Sequence, residues 1–485
     1  MVQVDHIDEI FIKLLVERLG WPVKLVRWQT ARSIRELLRS KQWKDATTTI
    51  ILDWIGDRRF ESEVSTALSA LLVTEPALRP TFDAISQRIQ RPSLLSDMLL
   101  ERMYGPGFIH GGWQREVAEP PAAFSPDRYF ESHKTQDVPV ILSMNFSRLE
   151  EKHGLPFTRQ WAFEWQRVQE RSSAPYSDYP YYFGDFSLAR LGLHPQCITR
   201  QSEVLRSAYQ RTLAHAVVAW GMPMSYASFY ITDTLPVLPG LFEVDPAPAP
   251  TWLGALVSEF CAEDAELETL ARSVLAASQV ASEGALLALT VPTPREVAEF
   301  GEVTLMSYFV SQDFQAATSS AFPDLQEFVV PDAFSLRGDV TDCDLSRWKS
   351  PAEAGVVMPT TFAAIPALHG TWHDEYIGAG LRIPCSYCFD TPTKLDADSS
   401  GLKVLDEEHQ VARTKFWRDA WTPINMPSGG GTRIGVASYV APKQLESALT
   451  RLSLTLAWQV RVITYDTESS WDKLQKKERL AFFRL

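Results

Sequence analysis

The fold of the N-terminal part of this chain is decided by three consecutive stretches, VKLVRWQTARSIRELLRSKQWKDA (residues 23–46), TTTIILDWIGD (47–57) and RRFESEVSTALSALLV (58–73). The first stretch predicts an amphipathic helix, because its apolar residues recur at helical spacing: Trp28, Ala31, Ile34, Leu37 and Leu38. Thirty-four positions later Leu68, Leu71 and Leu72 repeat the end of this stripe. The middle stretch predicts a short apolar helix between them. A helix cannot bury its stripe alone, so the recurrence favours stacked helical pairs.

The phrase RWQTARSIRELL (residues 27–38) resembles the first helix of HEAT-type repeats. The resemblance covers residues 6–104, about two and a half helical pairs of the usual repeat length. It implies a curved helical stack that offers one face to a protein or nucleic-acid partner. We therefore expect a helical, repeat-like block over residues 1–104. Its first helix is predicted over residues 7–19, ended by Gly20 and Pro22.

Composition limits the class of protein. With 485 residues, of which 45% are hydrophobic, the chain can bury a full core and is expected to form two to four domains. A formal charge of −13 argues against a general nucleic-acid coat, which needs a basic surface. Five cysteines, an odd and small number, are typical of a reduced, cytoplasmic protein. We see no signal peptide and no apolar run long enough to span a bilayer, so we expect no membrane partner.

Basic residues lie largely off the apolar stripe of the first stretch, and they form the candidate partner-binding site: Arg27, Arg32, Arg35, Arg39 and Lys41. One interpretation is the solvated face of an amphipathic helix. The other is a docking face for an acidic protein or a phosphate backbone. A protein partner is the main expectation, and this local basic face leaves nucleic acid as a second possibility.

The rest of the chain is predicted to be α+β. We expect a Gly/Pro-rich connection over residues 105–136, a mainly helical domain rich in Trp and Tyr over 137–335, and a mixed α/β domain over 336–485. Predicted strands cover 138–146, 284–292, 302–310, 433–440 and 459–467. Predicted helices cover 202–220, 407–421 and 443–458. The basic, amphipathic tail over 469–485 needs cover from this chain or from a partner.

Aromatic residues in the second domain allow two interpretations. Trp161 and Trp165 lie on a predicted helix, and the following loop SAPYSDYPYYFGDFS (residues 173–187) is rich in tyrosine. Large rings on a loop can form a recognition surface at low entropic cost. They can equally pack in a core and hydrogen-bond there through their polar atoms. His215, one step from the apolar stripe of its helix, is interpreted as a structural histidine.

One constellation has the composition of a metal site. His369 and His373 are four residues apart, and Cys385 and Cys388 follow in a C-x-x-C pair. Two imidazoles and two thiolates form a tetrahedral zinc shell. Such a zinc would be structural, because no coordination position remains for water. A second C-x-x-C pair and a metalloprotease H-E-x-x-H are both missing, so the main expectation is that no cofactor is bound.

Two catalytic templates fit poorly. PDRYFESHK (residues 126–134) resembles the carboxylate-and-lysine arrangement of metal-dependent nucleases, but Glu131 and Lys134 are one residue too far apart to share a strand face. SGGGT (residues 428–432) lacks the lysine of a phosphate loop and is interpreted as a hairpin turn. The chain is therefore more consistent with a binding protein than with an enzyme.

Two further phrases, SEVLRSAYQRTLAHA (residues 202–216) and LAWQVRVITYD (456–466), resemble regions beyond the NTPase module of large bacterial defence proteins of the STAND type. The resemblance implies a sensing or adaptor component that acts with partners, and this sequence carries no Walker motif of its own. We expect a non-catalytic, protein-binding adaptor or sensor of a bacterial multi-protein system, with a role in anti-phage defence. The alternative is a metal-dependent hydrolase or nuclease whose site is dispersed over the fold.

Overall fold

The protein divides into two compact units. The computed structural model describes residues 6–21, 24–128, 130–131, 134, 140–172, 200–235, 239–245, 247–253, 259–281, 283–296, 299–314, 338–339, 357–365, 381–418, 434–467 and 474–484. We name the helical unit for the described residues up to Phe242 and the sheet unit for those from Glu243 onward. This is a coarser division than the four segments expected from the sequence, which stay a prediction. The fold class, α+β with helices concentrated in the first half and strands in the second, is confirmed.

The described part of the helical unit contains ten α-helices. They are α1 (His6–Glu17), α2 (Lys24–Arg39), α3 (Lys44–Gly56), α4 (Glu61–Leu72), α5 (Phe82–Ser86), α6 (Leu94–Tyr104), α7 (Val140–His153), α8 (Phe157–Ser172), α9 (Arg200–Ala219) and α10 (Met224–Ile231). The stripes predicted on α2 and α4 are at the centre of the packing, since Ile34, Leu38, Leu68 and Leu71 are fully buried. Helix α2 packs on α3 and α4, and α4 packs on α6 and α9. Stacked helices are thus present, while the likeness to HEAT repeats stays a prediction.

One predicted strand in this unit is wrong. Residues 138–146 were expected to be extended because Val140, Ile141 and Leu142 are β-prone, but the structure places Val140–His153 in helix α7. The physical reason is visible over a longer window. Ile141, Leu142, Phe146 and Leu149 are all buried, and this spacing of one, five and eight residues is that of a helix face. A strand would have pointed Ile141 and Leu142 to opposite sides of a sheet.

The sheet unit is built on an antiparallel sheet. Its strands are β1 (Ala285–Glu296), β2 (Glu299–Ser311), β3 (Gly338–Asp339), β4 (Val357–Pro359), β5 (Thr361–Ile365), β6 (Leu381–Pro384), β7 (Lys394–Asp398), β8 (Gly401–Asp406), β9 (His409–Arg418), β10 (Ile434–Val440), β11 (Leu454–Thr467) and β12 (Leu474–Arg484). The described order is β12-β11-β2-β1-β10-β9-β8-β7-β3; β4 also pairs with β2, and β5 pairs with β6 separately. Helix α11 (Leu267–Val280) covers β1, β11 and β12, and its Ala271 and Val274 join a core that includes Trp417 and Trp458.

The strand-rich C-terminal half corrects a second prediction. The helix expected over residues 407–421 is wrong: His409–Arg418 is strand β9, paired with β8 on one side and β10 on the other. Ala412, Thr414 and Phe416 are buried at alternate positions, while Arg413 and Lys415 point the other way, so period two describes the segment better than period 3.6. Pairing on both sides outweighs the local helix propensity.

Other predictions for this unit are confirmed. The runs at 284–292 and 302–310 are the paired strands β1 and β2, and 434–440 and 459–467 are extended as expected. The helix expected over 443–458 is shorter, α12 (Pro442–Leu452), because Ser453 adopts a left-handed conformation with φ 55° that ends the helix, and β11 begins at Leu454. The described part of the tail, β12, packs within this chain, since it pairs along β11 and Phe483 is buried. In the described part of the chain, no helix has the length and apolar character needed to cross a bilayer.

Candidate functional site

The basic residues predicted to bind a partner differ in how far they are engaged within the helical unit. Arg27 is only 2% exposed; its Nη2 lies 2.8 Å from Glu203 Oε1, and its Nε donates to the carbonyl of Trp21 over 2.6 Å. Arg32 lies with its guanidinium carbon 3.9 Å from the centre of the Trp28 ring and donates to the carbonyl of Phe242. The structure therefore differs from the expectation at Arg27, because α9 supplies a buried carboxylate that draws this arginine inward.

The remaining candidates on this helix are largely engaged within the unit. Arg35 lies 4.7 Å from the ring centre of Phe242 and 3.7 Å from Glu36. Arg39, at the exposed end of α2, bridges Glu36 at 2.6 Å and Glu75 at 2.7 Å. Lys41 is exposed in the turn after the helix. Arg27, Arg35 and Arg39 therefore pair with carboxylates of the helical unit, whereas Arg32 contacts a ring and a carbonyl and Lys41 is exposed.

Arg27 is held in the interior by a buried network of charged residues around α9. Glu203 accepts hydrogen bonds from the Ser62 hydroxyl and from Arg206 Nη1, the latter over 3.1 Å. Burial alone would raise the pKa of Glu203, but the charges of Arg206 and Arg27 outweigh it and hold that pKa below its ordinary value. Burial also lowers the pKa of Arg206 to about 10. The carboxylate and the two guanidiniums therefore depend on one another for their charged state.

A second part of this network lies two turns further along α9. Arg211 reaches three carboxylates: Glu61 at 3.0 Å, Glu164 at 2.7 Å and Glu116 at 3.0 Å. Burial would lower the pKa of Arg211, yet Glu61 and Glu164 outweigh it and raise the pKa above its ordinary value. The contacts join α4, α8 and the 112–116 turn to α9. The network thus fixes helices that are far apart in sequence.

Chemically, this network is suited to holding helices together. The cavity beside Arg211 measures about 10 Å³, which is room for about one water molecule and far below the size of a small-molecule site. Glu116, Glu164 and Trp113 line it, and their polar atoms already bond within the protein. The nearby His215 is buried, and burial lowers its pKa, as expected for a structural histidine. We therefore assign the network a structural role.

The two tryptophans considered for recognition are core residues. Trp161 is fully buried and its indole N–H donates to the carbonyl of Leu205 over 3.0 Å; Trp165 is 1% exposed. Phe130 packs edge-on against both rings. These side chains support the packing interpretation. The tyrosine-rich loop that follows them, residues 173–187, lies outside the described residues.

The surface that sequence reasoning missed is on α1. Four apolar side chains at i, i+3, i+4 and i+7 face solvent: Ile7 is 67% exposed, Ile10 45%, Phe11 66% and Leu14 60%. We call these four residues the α1 stripe. The opposite side of the same helix is anchored, with Ile12 4% and Val16 0% exposed, against α2 and α3. Trp21, 52% exposed, follows shortly after the helix.

The α1 stripe left a signal in the sequence. In the segment IDEIFIKLLVERL (residues 7–19), apolar residues occur on nearly every side of the helix, whereas one apolar face is enough to pack a surface helix on its neighbours. The second apolar face of α1 is therefore not needed to pack the helix on its neighbours. An exposed, contiguous apolar surface of this kind is typical of a protein–protein contact.

The cysteine pair of the predicted zinc site lies after β6. Both thiols are buried, and their sulfur atoms are 3.9 Å apart. Two thiolates on one tetrahedral zinc would be separated by about 3.8 Å, given Zn–S bonds of about 2.3 Å. Burial raises the pKa of Cys388, and its thiol donates to the carbonyl of Thr360, so this thiol is neutral in the present arrangement.

The other two predicted zinc ligands, His369 and His373, lie outside the described residues, so the zinc hypothesis stays a prediction. Among the described residues, no three His, Cys, Asp or Glu side chains are grouped as a metal site would require. Glu131 and Lys134, considered for a nuclease, bridge each other at 2.8 Å with helical i, i+3 spacing.

No protein-family model matches the chain, and no curated protein matches it. The function therefore has to be argued from the site itself.

Proposed function

We propose that this chain is a non-catalytic, cytoplasmic adaptor or sensor that acts by binding another protein chain through the α1 stripe. The observation that carries the proposal is the combination of two faces on one short helix. Val16 and Ile12 anchor it in the core, while the α1 stripe stays open to solvent. A helix held in this way offers apolar surface without first having to fold, so binding to it needs little ordering of the chain.

The recognition mode that this surface supports is helix-in-groove or helix-on-helix. Residues at i, i+3, i+4 and i+7 form the ridge that a partner helix or a hydrophobic groove accepts. The charged residues Asp8 and Lys13 lie on the two sides of this ridge on α1. They would form the polar rim around an apolar centre, which is the usual anatomy of an interface.

The buried network supports the same proposal from inside the unit. Arg211 ties Glu61 of α4 and Glu164 of α8 to α9, and α4 packs on α2 and α3, the two helices that anchor α1. A rigid scaffold that supports an apolar surface lowers the entropic cost of binding, because little of the chain has to be ordered when a partner binds. The resemblance of residues 202–216 and 456–466 to regions of STAND-type defence proteins supports an adaptor role in a bacterial multi-protein system.

A photo-cross-linking amino acid at Leu14, in the intact protein in its native host, tests this proposal. We expect one discrete protein–protein adduct, which disappears when Phe11→Glu is added, because the glutamate places a charge in the apolar centre of the contact. The matched control is the same cross-linker at Val218, which is 52% exposed near the end of α9. Equal adducts from both positions, or an adduct at Leu14 that survives Phe11→Glu, would contradict the proposal.

A further inference from the structure

The cysteine pair after β6 lies in a turn whose geometry suits a disulfide. The backbone N–H of Cys388 donates to the carbonyl of Cys385 over 3.0 Å and closes the turn. The first and last Cα atoms of such a turn lie within about 7 Å of each other, and the Cα atoms of a disulfide are about 4.4–6.8 Å apart. The two sulfur atoms already touch at 3.9 Å. A sulfur–sulfur bond therefore needs a side-chain rotation and a small movement of the turn.

One side of this turn is tied to the centre of the sheet. The carbonyl of Thr360 accepts hydrogen bonds from the Cys385 backbone N–H over 2.8 Å and from the Cys388 thiol over 3.6 Å. The backbone N–H of Thr360 donates in turn to the carbonyl of Ser307, in strand β2, over 3.1 Å. Both Thr360 and Ser307 are buried, and β2 is paired with β1 and β11. This side of the turn therefore has little freedom to move.

The other side of the turn is bound by helix α12. Arg451 Nη2 donates to the carbonyls of Tyr387 and Phe389 over 2.9 and 3.0 Å. Asp390, just after the turn, accepts from Arg451 Nε over 2.9 Å and from the Ser447 hydroxyl over 2.6 Å. The charged pair is partly exposed, so its bonds are weaker than the buried ones at Thr360. A movement of the turn is therefore taken up by its contact with α12.

From this arrangement we infer that Cys385 and Cys388 form a redox switch: a peroxide oxidises them to a disulfide, and the new bond loosens α12 from the turn. The Cys385 sulfur gives up its proton and attacks one oxygen of hydrogen peroxide; the O–O bond breaks, and hydroxide leaves and takes up that proton as water. The Cys388 sulfur then attacks the oxidised sulfur, the S–O bond breaks, and hydroxide leaves with the Cys388 proton as a second water. Two thiols and one peroxide thus give one disulfide and two water molecules.

Closing the bond changes the contacts of Cys388 more than those of Cys385. The Cys388 thiol loses its proton and with it the hydrogen bond to Thr360, whereas the backbone bond of Cys385 to Thr360 remains. The sulfur atoms approach from 3.9 Å to about 2.05 Å. Cys388 therefore moves, together with the two neighbouring carbonyls that α12 binds. Because both thiols are buried, oxidation should be slower than that of an exposed thiol. The switch is independent of the α1 stripe.

The first experiment treats the purified, fully reduced full chain with hydrogen peroxide and follows it by intact-protein mass spectrometry and peptide mapping. We expect the loss of two hydrogen atoms per chain, with the new bond between Cys385 and Cys388. Cys385→Ala and Cys388→Ala should each abolish this loss. The matched control is Cys261→Ala, which removes another buried thiol of the sheet unit and should leave the loss unchanged. The mapping in the wild type does not depend on how well the variants fold.

Hydrogen–deuterium exchange of α12 tests the effect of the bond. Amides of residues 443–452 should exchange at least roughly threefold faster in the oxidised protein, and reduction by a dithiol reagent should reverse the change. Helix α11 (Leu267–Val280) is the internal reference and should exchange equally in both states. Arg451→Gln removes the contact in both states, so its α12 should exchange fast when reduced and respond little to oxidation.

Several results would overturn the inference. A wild-type chain that keeps both thiols under peroxide, that is oxidised to sulfinic acid without a disulfide, or that joins either cysteine to a different thiol would do so. Stoichiometric zinc that protects the pair from peroxide would assign the two sulfur atoms to the metal instead. A disulfide between Cys385 and Cys388 that leaves the exchange of α12 unchanged would show that the bond forms without acting on the helix.

Discussion

Helices α1 and α2 are neighbours in sequence, and the structure gives them opposite roles. Helix α2 carries the conspicuous charge, yet Arg27 is buried against Glu203 and Arg39 is bridged to Glu36 and Glu75. Helix α1 carries an inconspicuous mixture of apolar and acidic residues, yet it holds the α1 stripe in solvent. The difference teaches that the availability of a helix face depends on which partners the rest of the fold brings to it, and not on the composition of the face.

The largest expected effect comes from breaking the buried side of this comparison. Glu203→Gln removes the carboxylate that faces Arg27 and Arg206, and leaves two guanidiniums without their buried counter-charge. Removing one partner of a buried ion pair costs about 3–5 kcal/mol. We expect a loss of that size in the free energy of unfolding, measured by urea titration with far-UV circular dichroism.

The matched control is Glu268→Gln on α11, where Glu268 forms an exposed i, i+4 pair with Arg272. It should cost about 0.3–0.5 kcal/mol or less, because solvent screens the pair. Equal losses from Glu203→Gln and Glu268→Gln would show that the α9 network does not hold the helical unit together.

The pH dependence of stability tests the same network. The pKa values of Glu203 and Glu116 are held below the ordinary value of 4.5 in the folded protein; burial opposes this shift, and arginines outweigh it. Such groups stabilise the fold above pH 4.5 and lose that contribution as pH falls through their lowered folded pKa values.

We therefore expect the helical unit to lose stability below pH 4.5, monitored by acid titration at fixed urea concentration. Glu63 acts in the opposite sense. Burial and the nearby Glu203 raise its pKa, so this group lowers the stability of the fold as pH rises above 4.5. In Glu203→Gln the acid-induced loss should be smaller. If the free energy of unfolding falls with decreasing pH as steeply in that variant as in the wild type, the acid sensitivity arises from other carboxylates.

The cysteine pair provides an intermediate effect and a metal test. Cys385→Ser puts a more polar hydroxyl into a buried site, and we expect a cost of about 1–3 kcal/mol. Metal analysis of the purified wild type and of this variant checks the zinc hypothesis. Stoichiometric zinc that is lost in Cys385→Ser and in His369→Ala would establish the predicted four-ligand site, and zinc that is retained in both would remove it.

On the exposed side of α2, Arg39→Gln should have a small effect. Its bridges to Glu36 and Glu75 are about half exposed, so their loss is expected to cost about 0–1 kcal/mol. The same variant should leave the Leu14 cross-link intact, because the account places docking on α1. Loss of that cross-link in Arg39→Gln would return the docking role to the basic residues of α2.

The smallest expected change in stability is at the α1 stripe itself. Leu14→Glu should alter the free energy of unfolding of the monomer by no more than about 0.5 kcal/mol, because the side chain is mostly in solvent. The measurement is urea unfolding of the purified protein, followed by far-UV circular dichroism. A loss of several kcal/mol would mean that this side of α1 is covered by the chain itself.

Much of the fold could be predicted from local pattern. The stripes of α2 and α4, the helix α9 and the hairpin β1–β2 follow from periodicities within 20 residues. The errors at 138–146 and 407–421 have one cause in common, because a short window was interpreted without its neighbours. Val140–Leu142 belongs to a longer helical pattern, and β9 is held by strands on both sides.

The site was harder to predict for a related reason. The bonds that draw charge inward join positions 141 and 150 residues apart, Ser62 with Glu203 and Glu61 with Arg211. No pattern within one helix reveals such partners. The second apolar face of α1 was visible in the sequence, but whether it is covered depends on the whole fold.

Hydrogen–deuterium exchange of the α1 backbone, measured for the purified protein alone and in complex with the partner captured through Leu14, tests the docking role of the α1 stripe most directly. The account predicts that amides of residues 6–17 exchange more slowly in the complex, and that Leu14→Glu abolishes this difference, while α3 (Lys44–Gly56) is unaffected in both proteins. Exchange in α1 that is the same with and without the partner, or equally slowed in Leu14→Glu, would contradict the account.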